Sequence, residues 1–257
     1  MKNLKPLFCL LLAIALMACE EQSTDNEPDL AIKNFQLSRV EVFTEGELNN
    51  PLVTEYTYEN GLLKTESVRG AVITYHYTDR ILTRKVYEHA GATITTTYAI
   101  EGDKLVERIE NILPTGQIFN TMVEYLSISD SEMNINHYRV EDGQAILDHY
   151  NECAISNGNI DMDWQYRAGE TEVELTLENQ FNNLLNPISL WEGHPQVVSK
   201  HQLTNSKTYF KGDLVTENRY EVVQFNDQNL PTEVVVEGES FLNPGLVSRQ
   251  TVKYYYD

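Results

Sequence analysis

The chain has 257 residues and sets 19 Lys and Arg against 39 Asp and Glu, a formal net charge of −20 at pH 7. So acidic a chain is a poor partner for nucleic acid and is not drawn electrostatically to anionic headgroups. Its 15 tyrosines, with many Thr and Val residues, favour strands over helices.

Residues 1–18 open with Lys2 and Lys5 and continue in an apolar run from Leu7 to Ala18, the build of a signal peptide. The run is shorter than the roughly 20 apolar residues a spanning helix needs, and it stops at Cys19-Glu20-Glu21. Leu16-Met17-Ala18-Cys19 resembles the lipobox of bacterial lipoproteins. That resemblance implies cleavage before Cys19, a lipid on Cys19, and attachment to a membrane through that N-terminal lipid. The acidic pair that follows resembles the tag with which some Gram-negative bacteria export lipoproteins to the outer surface, which implies an outer-membrane, surface-exposed location. Residues 19–33 are polar and acidic and read as a flexible tether. With Cys9 lost in the signal and Cys19 acylated, Cys153 stands alone, and no internal disulfide can form.

Residues 34–257 read as one β domain. A short phrase recurs in it: two apolar or aromatic residues one apart, a polar turn, then another apolar residue. Its clearest copy is Tyr56-Thr57-Tyr58-Glu59-Asn60-Gly61-Leu62-Leu63. Asn-Gly favours a two-residue hairpin because a type I′ turn needs positive φ at both central positions. The spacing predicts Glu59 opposite Leu62, Tyr58 opposite Leu63 and Tyr56 opposite Thr65. Further turns are predicted at Asp79-Arg80, Gly102-Asp103, Asp142-Gly143, Asn157-Gly158, Ala168-Gly169 and Lys211-Gly212. Uneven intervals argue against a solenoid. Ten or more antiparallel strands follow, in a meander of successive hairpins that gathers its Tyr and Leu side chains on one face. One large curved sheet is the expectation, with a barrel-like or two-layer arrangement as the alternative.

Tyr58-Glu59-Asn60-Gly61-Leu62-Leu63, Phe225-Asn226-Asp227-Gln228-Asn229-Leu230-Pro231-Thr232 and the closing Tyr254-Tyr255-Tyr256-Asp257 resemble degenerate tyrosine-aspartate (YD) repeats. The resemblance runs from about Val53 to the C-terminus. It departs from the full pattern at Glu59, Thr78 and Asn226, which stand where Asp is expected. It implies a β fold and a cell-surface location, with no activity attached.

The oxygen-bearing side chains of Asn157, Asn159, Asp161 and Asp163 would suit calcium, but the position where an EF-hand loop needs glycine is Trp164. An outward polar face of a strand explains them, with Ile160, Met162 and Trp164 inward. His149 and Cys153 have a spacing that suits zinc only on a helix. Since Cys153 fills an aromatic slot of the phrase, it is expected as a buried thiol. No catalytic motif is present, and neither a cofactor nor a metal is implied.

Residues 179–206 break the hairpin rhythm with Asn186-Pro187, Trp191 and Gly193-His194-Pro195. Such departures often carry binding residues, so Trp191 and His194 are candidates for a ligand or partner surface. Two functions fit: a noncatalytic surface module that binds a glycan, peptide or protein, and a periplasm-facing carrier or envelope-assembly lipoprotein with an apolar groove.

Overall fold

The computed structural model of the chain describes residues 36–257, apart from 47–49, 191–198 and 244. These residues form sixteen antiparallel strands. They are β1 (Leu37–Thr44), β2 (Leu52–Glu59), β3 (Leu62–Val68), β4 (Ala71–Thr78), β5 (Ile81–His89), β6 (Ala92–Glu101), β7 (Lys104–Ile112) and β8 (Ile118–Ser129), followed by β9 (Glu132–Glu141), β10 (Gln144–Ser156), β11 (Asn159–Arg167), β12 (Val173–Leu185), β13 (His201–Phe210), β14 (Asp213–Phe225), β15 (Pro231–Ser240) and β16 (Leu246–Tyr256). Each pairs with its neighbour in sequence, and β1 pairs with β16, so the sheet closes into a barrel. The expected open sheet is therefore corrected to its barrel-like alternative. Closure sets Val40 opposite Tyr254 and Val42 opposite Val252, and it removes both edges, whose unpaired N–H and C=O groups an open sheet would expose.

The predicted hairpins form. Asn60 and Gly61 have φ of 54° and 81°, and the pairs Asp79/Arg80, Asn157/Gly158 and Lys211/Gly212 are also positive at both positions, as a type I′ turn requires. Glu59 lies opposite Leu62 and Tyr58 opposite Leu63, but Tyr56 lies opposite Glu66 and not Thr65. An extra residue in β3 moves the register there. The second strands of three other hairpins carry the same extra residue at the same place: β5, β11 and β14. These bulges add local twist and bend the strand, the curvature a closing sheet needs.

Which face is inside follows from burial. Leu63, Tyr75, Leu82 and Tyr98 form a buried cluster, with Tyr56, Tyr58, Ile73, Tyr77 and Leu105 packed against it. By register the same face carries Glu107, Val123, Met133 and Cys153, all buried. That is the concave side.

The recurring phrase does not gather on one face throughout, and chirality explains why. Gln36 and Asp257 meet at one rim, where the Asp257 N–H donates to the Gln36 carbonyl (2.9 Å). Turns at this termini rim, such as Asn60-Gly61 and Asp79-Arg80, put their flanking pairs Tyr58/Leu63 and Tyr77/Leu82 inside. Turns at the far rim do the reverse: Val140/Ala145 and Tyr209/Leu214 face outward. A meander advances in one direction around the barrel. Carrying a hairpin from one rim to the other while keeping that direction requires a half-turn about an axis across the strands, and the half-turn exchanges the faces.

The expected inward trio divides at a bulge. Ile160 faces Ile155 on the inside, but the extra residue that follows it sends Met162 and Trp164 outward and Asp163 inward. The irregular segment is also shorter than 179–206. β12 continues to Leu185, one 3₁₀ turn covers Pro187–Leu190, and β13 begins at His201.

Candidate functional site

A barrel of sixteen strands is wide enough to enclose more than its own side chains, so the inner wall is the first place to look for chemistry. It has two arcs. On β2–β7 the phrase lays down Tyr56, Tyr58, Tyr75, Tyr77 and Tyr98 among Leu63, Leu82 and Leu105. The Tyr75 hydroxyl donates to Glu66 Oε2 at 3.1 Å, and Lys85, opposite Tyr75, reaches over the Tyr98 ring (5.8 Å to its centre). Burial raises the Glu66 carboxyl above its ordinary range and pushes the Tyr77 phenol up to about 12. The phenols of Tyr56, Tyr75 and Tyr98 are raised further, first by burial and then by nearby carboxylates. At neutral pH these phenols are uncharged hydrogen-bond donors on an apolar wall.

On β8–β14 the inner wall is more polar. His137 and His149 face each other across β9 and β10, with ring centres 4.2 Å apart and planes within 14°. Burial, and then the neighbouring His149, lower the His137 pKa to about 4. Asn151 Nδ2 donates to Asp163 Oδ1 at 2.6 Å, and Cys153 lies opposite Asp163. Burial, and then the Asp163 charge, push the Cys153 thiol up to about 12, so it is a poor nucleophile. At the far rim, Arg139 pairs with Glu141 (2.9 Å) and Asp148 (3.2 Å). Arg167 grips Glu174 with two nitrogens.

The outer wall is charged along the strands. Arg249 lies beside Glu237 (3.5 Å), Lys253 beside Glu233 (3.7 Å), Arg219 beside Glu217 (2.7 Å), Arg108 beside Glu101 (2.8 Å) and Lys104 beside Glu124 (3.4 Å). A barrel that spans a bilayer shows lipid an apolar band about 25 Å tall and keeps its polar residues inside. This wall carries ion pairs along its strands where that band would lie.

The candidates read from sequence are not brought together. Cys19, Trp191 and His194 lie outside the described residues. His149 and Cys153 share the inner face of a strand, where a spacing of four residues separates them by roughly 13 Å, too far for one metal ion. Asn159 bonds His201 (3.0 Å), Asp161 accepts from Ser156 Oγ, and Asp163 turns inward, so the four oxygen ligands disperse. Among the described residues no three His, Cys, Asp or Glu side chains are grouped to hold a metal. Sequence reading missed Glu66 and His137, whose inward placement depends on bulges and on the rim.

No family model matches the chain, and no curated protein does. Its fold is similar to that of solved structures, among them two porin-like proteins. One is a porin-like protein from Bacteroides uniformis (TM-score 0.56, 14% identity, covering 86% of this chain and 98% of that one). The other is a porin-like protein from Bacteroides vulgatus (TM-score 0.50, 11% identity, 86% and 98% covered).

Proposed function

We propose that the chain is a noncatalytic binding module of the bacterial envelope, anchored in the outer membrane by lipid at Cys19, whose barrel stands in water beside the membrane. The observation that carries this reading is the polarity of the wall. Each Arg or Lys at the midplane of a lipid-facing wall would cost roughly 2–4 kcal/mol, and cations recur around this one at Arg108, Lys207, Arg219 and Lys253. The β2–β7 arc of the interior, made of neutral phenols and aliphatic side chains, suits an apolar or amphiphilic ligand, so of the two functions the sequence suggests, the carrier is favoured over a module that works only through its surface. The likeness to porin-like proteins then extends to the barrel and not to a pore in lipid.

Two preparations test the proposal. Residues 34–257 should remain monodisperse without detergent; aggregation relieved only by detergent would mean the wall needs lipid. The full chain should sediment with outer membranes, and Cys19→Ala should release it. Retention of that variant in the membrane fraction would refute the anchor.

A further inference from the structure

Across β6–β10 the outward side chains form two parallel rows. One runs Thr95, Glu110, Asn120, Val140, Ala145, and the other Thr97, Arg108, Met122, Tyr138, Leu147. Thr95, Thr97 and Ala145 are short and their neighbours long, so the wall dips. The dip is a concavity of about 530 Å³, within the roughly 300–1,000 Å³ of small-molecule clefts. On one side Arg108 is held by Glu101 at 2.8 Å. On the other, Tyr138 is fixed by its hydroxyl donating to Glu124 Oε2 (2.8 Å) and by Asn136 Nδ2 donating to that hydroxyl (3.3 Å). Beyond Tyr138 the outer face continues in aromatic rings: Tyr150 and Tyr166 stack at 4.8 Å within 8°, with Trp164 in the next row.

This lining selects a kind of ligand. Threonine hydroxyls, a carboxamide, one guanidinium and one carboxylate offer donors and acceptors in near balance, and Met122 and Val140 add apolar surface beside them. A ligand rich in hydroxyls and with apolar C–H faces satisfies both. An extended peptide recognised through its backbone needs a free sheet edge, and a closed barrel has none. Anionic ligands meet the repulsion of a chain carrying −20. We propose that this concavity is a binding cleft for a short, uncharged oligosaccharide. Thr97, Arg108, Glu110 and Asn120 take its hydroxyls, and Met122 and Val140 support its apolar face. The site is separate from the interior and does not depend on what the interior holds.

Residues 34–257 are screened on an array of neutral glycans that spans α- and β-glucans, mannans, xylans and chitin oligomers, and hits are measured by calorimetry. Saturable binding of at least one glycan is expected. Asn120→Ala should weaken it about ten-fold and Thr97→Trp, which fills the dip, should abolish it. Both variants must melt like the parent, and Thr251→Ala on the far side of the outer wall should bind normally. No glycan bound across the array, undiminished binding by Asn120→Ala and Thr97→Trp, or an array hit displaced by an unstructured peptide at equal concentration would each overturn the proposal. Because the interior is untouched by these variants, their failure leaves the carrier reading standing, whereas aggregation of the parent relieved only by detergent would put the outer wall in lipid and overturn both.

Discussion

The two arcs of the inner wall solve the same problem differently. On β2–β7 the phrase repeats at the termini rim, and each copy drives a tyrosine and a leucine into one cluster. On β8–β14 the strands lengthen to as many as thirteen residues, the phrase falls mainly at the far rim, and its aromatics go outside. The inner wall there sets His137, His149, Asn151 and Asp163 among the buried Val123, Met133 and Cys153. One arc is held by apolar burial and the other mixes buried apolar side chains with titratable and hydrogen-bonded ones, so damage to each should show a different signature.

The largest effect belongs to the first arc. Leu82 is almost wholly buried, and Leu82→Ala should cost about 2–5 kcal/mol in urea unfolding, with a lowered midpoint and an unchanged slope. A loss below about 1 kcal/mol would mean the Tyr/Leu cluster does not carry the fold. Next is the turn that starts the arc. Gly61 sits at φ 81°, where a β-branched side chain is strained by roughly 1–2 kcal/mol, so Gly61→Val should lower the melting temperature by several degrees and Gly61→Asn by much less.

The second arc should reveal itself through pH. The His137 pKa is lowered to about 4 from an ordinary 6.5, so between those values the unfolded chain holds the proton and the folded chain does not. Stability is therefore intact above pH 6.5 and drains away as pH falls toward 4. Glu66, in the first arc, has the opposite sign: a raised carboxyl favours the folded state at low pH and loses that advantage as pH rises. His137→Gln should flatten the acid side of a stability-against-pH curve, and Glu66→Gln should steepen it. Parallel curves for all three proteins would erase the distinction between the arcs. The smallest effect lies on neither arc: Arg249→Ala, which breaks the exposed pair with Glu237, should change stability by less than about 0.5 kcal/mol.

What the sequence made legible follows from these mechanisms. The Asn60-Gly61 hairpin was readable because turn chemistry is local, and so were the strand character and the burial of Cys153. Spacing alone sets Tyr56 opposite Thr65, because a bulge has no compositional mark and Lys64 looks like any other strand residue. The outward turn of Met162 and Trp164 is hidden for the same reason. The outward Tyr209 needed knowledge of which rim its turn occupied, a property of the whole meander. Closure was illegible because it rests on Val40 and Tyr254 meeting from opposite ends of the chain. The outer cleft left no motif, since Thr97, Arg108 and Asn120 come from three strands.

The hydrogen bond between Asp257 and Gln36 makes the order of the strands circular in space while the chain remains linear. A short linker could splice the two ends and a cut at Lys211-Gly212 could open new ones, giving a permuted polypeptide with the same sixteen pairings. Its new ends would leave from the opposite mouth. A tether grafted there would hold the barrel to a surface in the opposite orientation from one grafted at Gln36, and comparing the two orientations in cells would reveal which opening must stay free.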